Sequence, residues 1–341
     1  MKLFDSHDYI SYRTQQVVPS MAFDPKADFD TWKQAAREKL TQLLCLPLTP
    51  CEDLFAVCQE REFPEYRRLD FEFQTEEGYF ASASMLLPLQ ISGPLPAVIC
   101  LQGHSTGMHI SLGECIYPND DKAVASGRDF AVRAVKEGLC AVTLEQRYMG
   151  SAGRTETGAP ACLGRTNNAG MATLLLGRTI IGERVWDIQR LIDVLCKHFS
   201  NVVDPKKIIC LGNSGGGTAT FYASCLDERI CISVPSCAVC TYDESIMAMQ
   251  HCPCNFVPGI RRYFNMGDLG CLIAPRKLLL VCGEKDHIFP LPGVQKSFDI
   301  IQQGFAAAGV EQNCRMLIGN AGHQFYPDQA WPIIHSYLAS L

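Results

Sequence analysis

The chain has no apolar run approaching the ~18–20 residues needed to cross a bilayer, so no membrane span is expected. It has no surplus of basic residues. Thirty Lys and Arg against 36 Asp and Glu leave a net charge of -6, which argues against nucleic-acid partners because those call for clustered Lys and Arg. Its first residues, MKLFDSHDYISYRTQQ, lack both an apolar core and a small-residue cleavage site, so the reading is cytoplasmic and not exported. Internal repeats and low-complexity tracts are also lacking. Hydrophobic content of 47% over 341 residues is ample for a sizeable core.

Cysteine is abundant, at 18 residues. Many lie inside apolar stretches, as Cys100, Cys140, Cys210, Cys231, Cys282 and Cys314 do, where a free thiol packs as a small hydrophobe. With no export signal these read as reduced thiols, not as a disulfide framework. The densest group is His251-Cys252-Pro253-Cys254. A structural zinc site needs four ligands, usually from two paired clusters, and the sequence shows no second pair. No metal and no organic cofactor is expected.

Residues 8–60 read as helical and loop-rich, with a helix from about Phe29 capped by Asp28 or Asp30. Tyr66–Gln74 and Tyr79–Leu87, joined through Glu76-Glu77-Gly78, predict a β-hairpin. Beyond it, short apolar runs alternate with helical stretches. Strands are expected at Leu95–Leu101, Leu139–Leu144, Lys207–Gly212, Ile230–Val234, Lys277–Cys282 and Cys314–Ile318, and helices near 120–137, 185–199 and 218–226. The pattern predicts an α/β fold with about eight strands, mostly parallel, covered on both faces by helices. Residues 1–64 would form an N-terminal helical extension packed on the core, and residues 65–341 the catalytic domain.

Two segments fit Gly-x-Ser-x-Gly: Gly103-His104-Ser105-Thr106-Gly107 and Gly212-Asn213-Ser214-Gly215-Gly216. A serine nucleophile of the α/β-hydrolase kind sits on a strained turn between a buried strand and a helix, with small residues beside it. Ser214 has the strand before it and the helix after it, whereas Ser105 is followed by a loop. Hydrolases of this fold carry the order serine, acid, histidine. After Ser214, Asp286 follows the strand Lys277–Cys282 and His323 follows the last strand, both at strand C-terminal ends where parallel-sheet sites assemble. Ser214, Asp286 and His323 are therefore the expected triad. The first motif then becomes the oxyanion loop, with backbone amides of His104 and Gly215 as donors.

Glu284 competes with Asp286, and His104, His109, His251 and His287 compete with His323; His287 reads as a pocket or structural residue, and His104 matters for its backbone more than its ring. Arg147, beyond the fourth strand, fits either a clamp on a substrate carboxylate or a structural ion pair, the second being favoured because buried charge is normally paired. Phe256, Tyr263 and Phe264 either wall the substrate pocket or pack an insertion.

Gln102-Gly103-His104-Ser105, Glu145-Gln146-Arg147, Leu176-Gly177-Arg178-Thr179 with Trp186-Asp187, Gly212–Gly217, His251-Cys252-Pro253-Cys254-Asn255 and the Asp286 and His323 blocks together resemble the acetyl-xylan-esterase-like branch of the α/β-hydrolases, near the dienelactone hydrolases. The resemblance runs over roughly residues 65–340. It implies a serine esterase acting on acetylated or methyl-esterified carbohydrate or a similar small ester, with homo-oligomerisation left open. Two departures qualify it. Dienelactone hydrolases carry a cysteine at the position of Ser214, and the acetyl-xylan and cephalosporin deacetylases carry a glutamine at that of Gly215. A prolyl-oligopeptidase-type peptidase shares the fold and triad, but about 65 N-terminal residues cannot form its propeller. A non-catalytic ligand-binding relative is the remaining alternative.

Overall fold

The computed structural model describes residues 4–153 and 166–341, with side chains from 171 onward in the second block. Nine strands form one sheet: β1 (Phe55–Glu62), β2 (Tyr66–Glu76), β3 (Tyr79–Pro88), β4 (Leu95–Leu101), β5 (Cys140–Leu144), β6 (Val203–Asn213), β7 (Ile230–Ser236), β8 (Lys277–Gly283) and β9 (Cys314–Gly319). Their order is β1-β2-β3-β5-β4-β6-β7-β8-β9, antiparallel from β1 to β5 and parallel from β5 to β9. The helices are α1 (Ser6–Gln15), α2 (Phe29–Leu43), α3 (Asp120–Ala123), α4 (Phe130–Lys136), α5 (Thr166–Leu175), α6 (Ile180–His198), α7 (Gly215–Leu226), α8 (Met266–Gly270), α9 (Leu291–Ala307) and α10 (Pro327–Leu338).

The central strands are buried on both faces because successive side chains alternate between two cores. Ala97, Ile99, Leu101, Ile208, Cys210, Leu278 and Leu280 point into one core, which α2, α6, α7 and α9 cover. Val98, Cys100, Ile209, Leu211, Leu279 and Val281 point into the other, beneath α4 and α10. Cys100, Cys140, Cys210, Cys282 and Cys314 are buried in these cores, and every described cysteine is free.

The expected strands all form, with three corrections around them. The stretch read as helical and loop-rich ends in β1, an extra edge strand paired antiparallel to β2. Its sequence FAVCQERE is mostly exposed and ends in the charged Glu60-Arg61-Glu62, as edge strands often do, so no alternating apolar pattern marks it. The sheet has nine strands, in keeping with the expected sheet of about eight, and β1 lies ahead of residue 64. The helix expected over 120–137 is broken, since Gly127 turns left-handed (φ 79°) between α3 and α4. Helix α7 starts at Gly215, three residues earlier than expected, because three consecutive glycines hide a helical start.

The N-terminal helix α2 is held to the core by its apolar stripe. Asp28 caps it through the Thr31 amide at 2.9 Å, and Ala36, Leu40 and the following Leu44 are fully buried. Phe23 and Trp32 pack edge to face at 4.9 Å, and the Phe23 amide donates to Asp268 at 2.8 Å. Leu40→Ala is expected to cost about 2–5 kcal/mol in urea unfolding, whereas Glu38→Ala on the exposed face of the same helix changes stability by less than about 0.5 kcal/mol. Equal effects would show that α2 does not depend on the core.

Candidate active site

Parallel strands β4 and β6 are neighbours whose register pairs Leu101 with Gly212. The two Gly-x-Ser-x-Gly segments, which follow these strands, therefore emerge side by side at the C-terminal edge of the sheet. The approach leaves no room for side chains. A Cβ on Gly216 would lie 2.2 Å from the Leu101 carbonyl oxygen, and one on Gly103 would lie 2.8 Å from the Asn213 carbonyl and 3.0 Å from Ser214 Cβ.

Ser214 occupies the turn between β6 and α7 at φ 55° and ψ -122°. Such a backbone costs a non-glycine residue about 1–3 kcal/mol and persists only where its surroundings hold it. Here the Ser214 amide donates to Ser236 O at the end of β7 (2.8 Å), and its carbonyl accepts from the Thr218 amide (2.8 Å). The Gly215 N–H lies in the first turn of α7, where amides have no partner within the helix.

Asp286 and His323 arrive from the ends of β8 and β9. Asp286 Oδ2 is 2.8 Å from His323 Nδ1, and Asp286 Oδ1 accepts from the amides of Ile288 (2.9 Å) and Phe289 (3.2 Å). Burial pushes this carboxyl up, but the bonds and charge of His323 and the two amides outweigh it and hold the group below its ordinary range. The Phe289 ring stacks on His323, with centroids 5.9 Å apart and planes at 14°. Ser214 and His323 line one cavity of about 220 Å³, together with His104, Gly215, Thr218, Gln250, His251, Cys252, Asn255, Ile288 and Phe289.

The first motif has a different environment. The Ser105 hydroxyl is buried and has no hydrogen-bond partner among the described residues. The nearby His109 turns its Nε2 to Asp120 (2.7 Å) and to Thr106 (3.3 Å), and Thr106 Oγ1 donates to Asp120 (2.5 Å). These contacts fasten the loop. Gln102 anchors its start, donating to Ser111 (2.7 Å) and to the Arg128 carbonyl (2.6 Å) while its own carbonyl accepts from Gln146 (2.6 Å). Glu145 fastens the far side by accepting from the amides of Met108 and Ser151, both at 3.2 Å.

Other expected residues fall elsewhere. Arg147 is buried and fully engaged: it pairs bidentately with Asp187 (2.7 and 2.8 Å), reaches Glu76 (2.6 Å) and Thr75 (2.9 Å), and stacks 4.1 Å from the Tyr79 ring centroid. The structural ion pair, and not the substrate clamp, describes it. Phe256 lines a separate cavity beside Tyr242 and Val257. Tyr263 packs against the core under Lys39, and neither it nor Phe256 lines the Ser214 cavity. Phe264 is fully buried, and Glu284 and His287 are exposed.

Among the lining residues, Thr218, Gln250, Ile288 and Phe289 are not singled out by the sequence, and Asn255 enters only through the resemblance. Phe289, three residues after the expected acid, was the most accessible of them to such reasoning. The His104 ring is also part of the wall: a Cβ on Gly215 would lie 2.8 Å from its Cε1, and its Nε2 is 3.3 Å from Cys254 Sγ. Hydrogen bonding from Cys254, and from His104, holds the Cys252 thiol well below its usual range against the opposing effect of burial. That shared hydrogen and burial raise Cys254 in turn, while Arg184 opposes them.

The sequence profile of the Abhydrolase family matches residues 5–316. A Bacillus subtilis protein provisionally named as the hydrolase YtaP is 27% identical over 153 residues, which is 44% of this chain and 50% of that protein. The chain thus spans about half the length of this curated relative. Among solved structures, a Bacteroides fragilis protein provisionally assigned as an acetyl xylan esterase superposes with a TM-score of 0.83 at 18% identity, covering 98% of this chain and 95% of that one. A glucuronoyl esterase from Solibacter usitatus gives 0.73 at 14% identity, covering 95% and 97%. At these identities the likeness is one of fold.

Glu145 generates a pH prediction. Burial raises its carboxyl from 4.5 to about 7, against the bonds from Ser151 and Met108. The unfolded chain releases this proton first, so the contribution of Glu145 to stability is fullest below about pH 4.5 and is lost as pH rises towards about 7. Glu145→Gln keeps an acceptor but cannot ionise. Its urea-unfolding free energy at pH 8 should exceed that of the parent by up to about 3 kcal/mol, with the difference shrinking towards pH 5. A difference independent of pH would contradict this.

Proposed function

The chain belongs to the Abhydrolase family, and on that premise we propose that it is a serine carboxylic-ester hydrolase working through an acyl-enzyme. The observation that carries this reading is the His323–Asp286 pair, joined at 2.8 Å, with His323 lining one cavity together with the strained Ser214. With Nδ1 bonded to Asp286, His323 has its Nε2 free to take the Ser214 proton as the oxygen attacks an ester carbonyl. Asp286 holds the required tautomer and offsets the charge of the imidazolium. The oxyanion would be received by backbone amides of His104 and Gly215, and one such donor contributes about 3 kcal/mol to the transition state. The alcohol leaves with the proton from His323. Water, deprotonated by the same imidazole, then releases the acid.

The substrate reading draws on the structural neighbours, assigned to acetyl-xylan and glucuronoyl esters, and on the cavity. At about 220 Å³ it is smaller than the roughly 300–1,000 Å³ of pockets that enclose drug-sized ligands. It suits a small acyl group with the alcohol outside, so acetylated carbohydrate is favoured over methyl uronates, for which Arg147 would have been the clamp. The free buried thiols support a reducing, cytoplasmic location.

Ser214→Ala should lower the hydrolysis of p-nitrophenyl acetate by about 10⁴-fold or more at unchanged thermal stability, and Ser105→Ala should keep most of it. In a panel of acetylated sugars, methyl uronates and aryl esters, the acetylated sugars should give the highest kcat/KM. Loss at Ser105 alone, or equal loss in both variants, would sink the assignment.

A further inference from the structure

The esterase reading leaves one chemical cluster of the cavity wall without a role. Cys252 and Cys254 come from a single turn, where Pro253 opens a short 3-10 helix and the Asn255 amide closes on the Cys252 carbonyl at 3.0 Å. His104 comes from the first motif, some 150 positions away in sequence. The two sulfurs and a ring nitrogen of His104 all lie within 4.8 Å of one another, and Cys254 Sγ is 3.3 Å from His104 Nε2. All three donors are soft or borderline, and no carboxylate is among them.

We propose that His104, Cys252 and Cys254 form a binding site for a thiophilic divalent cation of the zinc class, and that its occupancy blocks the neighbouring Ser214. Two thiolates and one imidazole are a three-ligand zinc set that leaves a fourth position open. That position faces the cavity, because His104 and Cys252 both line it beside Ser214. The surroundings suit bound thiolates. Asn255 directs its Nδ2 at Cys254 Sγ (3.8 Å) while its Oδ1 accepts from Thr218 (3.1 Å), and outer N–H groups of this kind orient metal-bound sulfur. The buried Arg184 guanidinium adds positive charge near Cys254.

Binding exchanges the thiol protons and metal-bound waters for two metal–sulfur bonds and one metal–nitrogen bond, with no change of oxidation state. It would fix the His104 ring, which stands where a Cβ on Gly215 would meet it, and place a hydrated dication in a space of about 220 Å³. Ester would then be excluded from Ser214. The sequence offers only the Cys-Pro-Cys half of the site. The fold supplies the third ligand.

The blocking half of this proposal rests on the esterase reading; the binding half does not. Metal-free, reduced protein titrated with cobalt(II) should bind one ion, with a sulfur-to-cobalt charge-transfer band in the near ultraviolet and the intense visible bands of tetrahedral cobalt. Zinc should displace it. Cys254→Ser should weaken binding by more than about tenfold, and Cys252→Ser serves as a second variant if the first does not fold. Stoichiometric zinc should also abolish p-nitrophenyl acetate hydrolysis by the parent, with chelator restoring it, and leave the activity of Cys254→Ser insensitive. Absence of the thiolate band, or an equal band in both variants, overturns the site. Binding without inhibition overturns the block. Binding in a protein with no hydrolysis to inhibit overturns the esterase reading and leaves the site standing.

Discussion

The side-chain-free contact between the end of β4 and the start of α7 is the constraint on which the site depends. Gly216 lies against the Leu101 and Gln102 carbonyls, and Gly103 lies against Asn213 and Ser214, at separations where one methyl group would collide. Because β4 and β6 are paired in parallel with Leu101 opposite Gly212, the contact fixes the loop of the first motif beside the serine of the second. It also lets α7 begin at once after Ser214, which holds the serine at its positive φ. A larger residue at Gly103 or Gly216 would push the two loops apart and separate the proposed oxyanion donors from Ser214.

Around that contact the loops are fastened by buried polar groups. Gln102 donates to Ser111 and to the Arg128 carbonyl, and Asp120 and Glu145 each accept from several donors in the loops that follow β4 and β5. Arg147 does the same on a larger scale, joining Asp187 of α6 to Glu76 and Thr75 of the β2–β3 hairpin. Buried charge is used here to lock backbone geometry, and breaking one partner of such a pair is costly. On the proposed esterase reading, preorganisation of this kind would let backbone amides stabilise developing charge without reorganising as the reaction proceeds.

Much of this was legible in the sequence, for identifiable reasons. The buried strands are short apolar runs bounded by turns, so β4, β5, β8 and β9 are placed to within about one residue, while β6 begins four residues earlier than expected and β7 ends two later. Ser214, Asp286 and His323 were legible because each follows such a strand, and the structure brings them to one edge. Less legible was whatever is decided by contact at a distance. Strand β1 gains its conformation from pairing with β2 and not from its own mostly exposed residues. Phe256 and Tyr263 look like pocket residues by type, yet the chain folds them into other surroundings. The His104 ring meets Cys252 and Cys254 only in three dimensions, so a ligand count along the chain could not find the third donor.

The most direct measurement is to identify the residue that a fluorophosphonate probe modifies, by peptide mass spectrometry of the intact reactive protein. The account predicts one adduct, on Ser214, that disappears in His323→Ala because the hydroxyl is then no longer activated. An adduct on Ser105, or no adduct in protein shown to be folded, would contradict it.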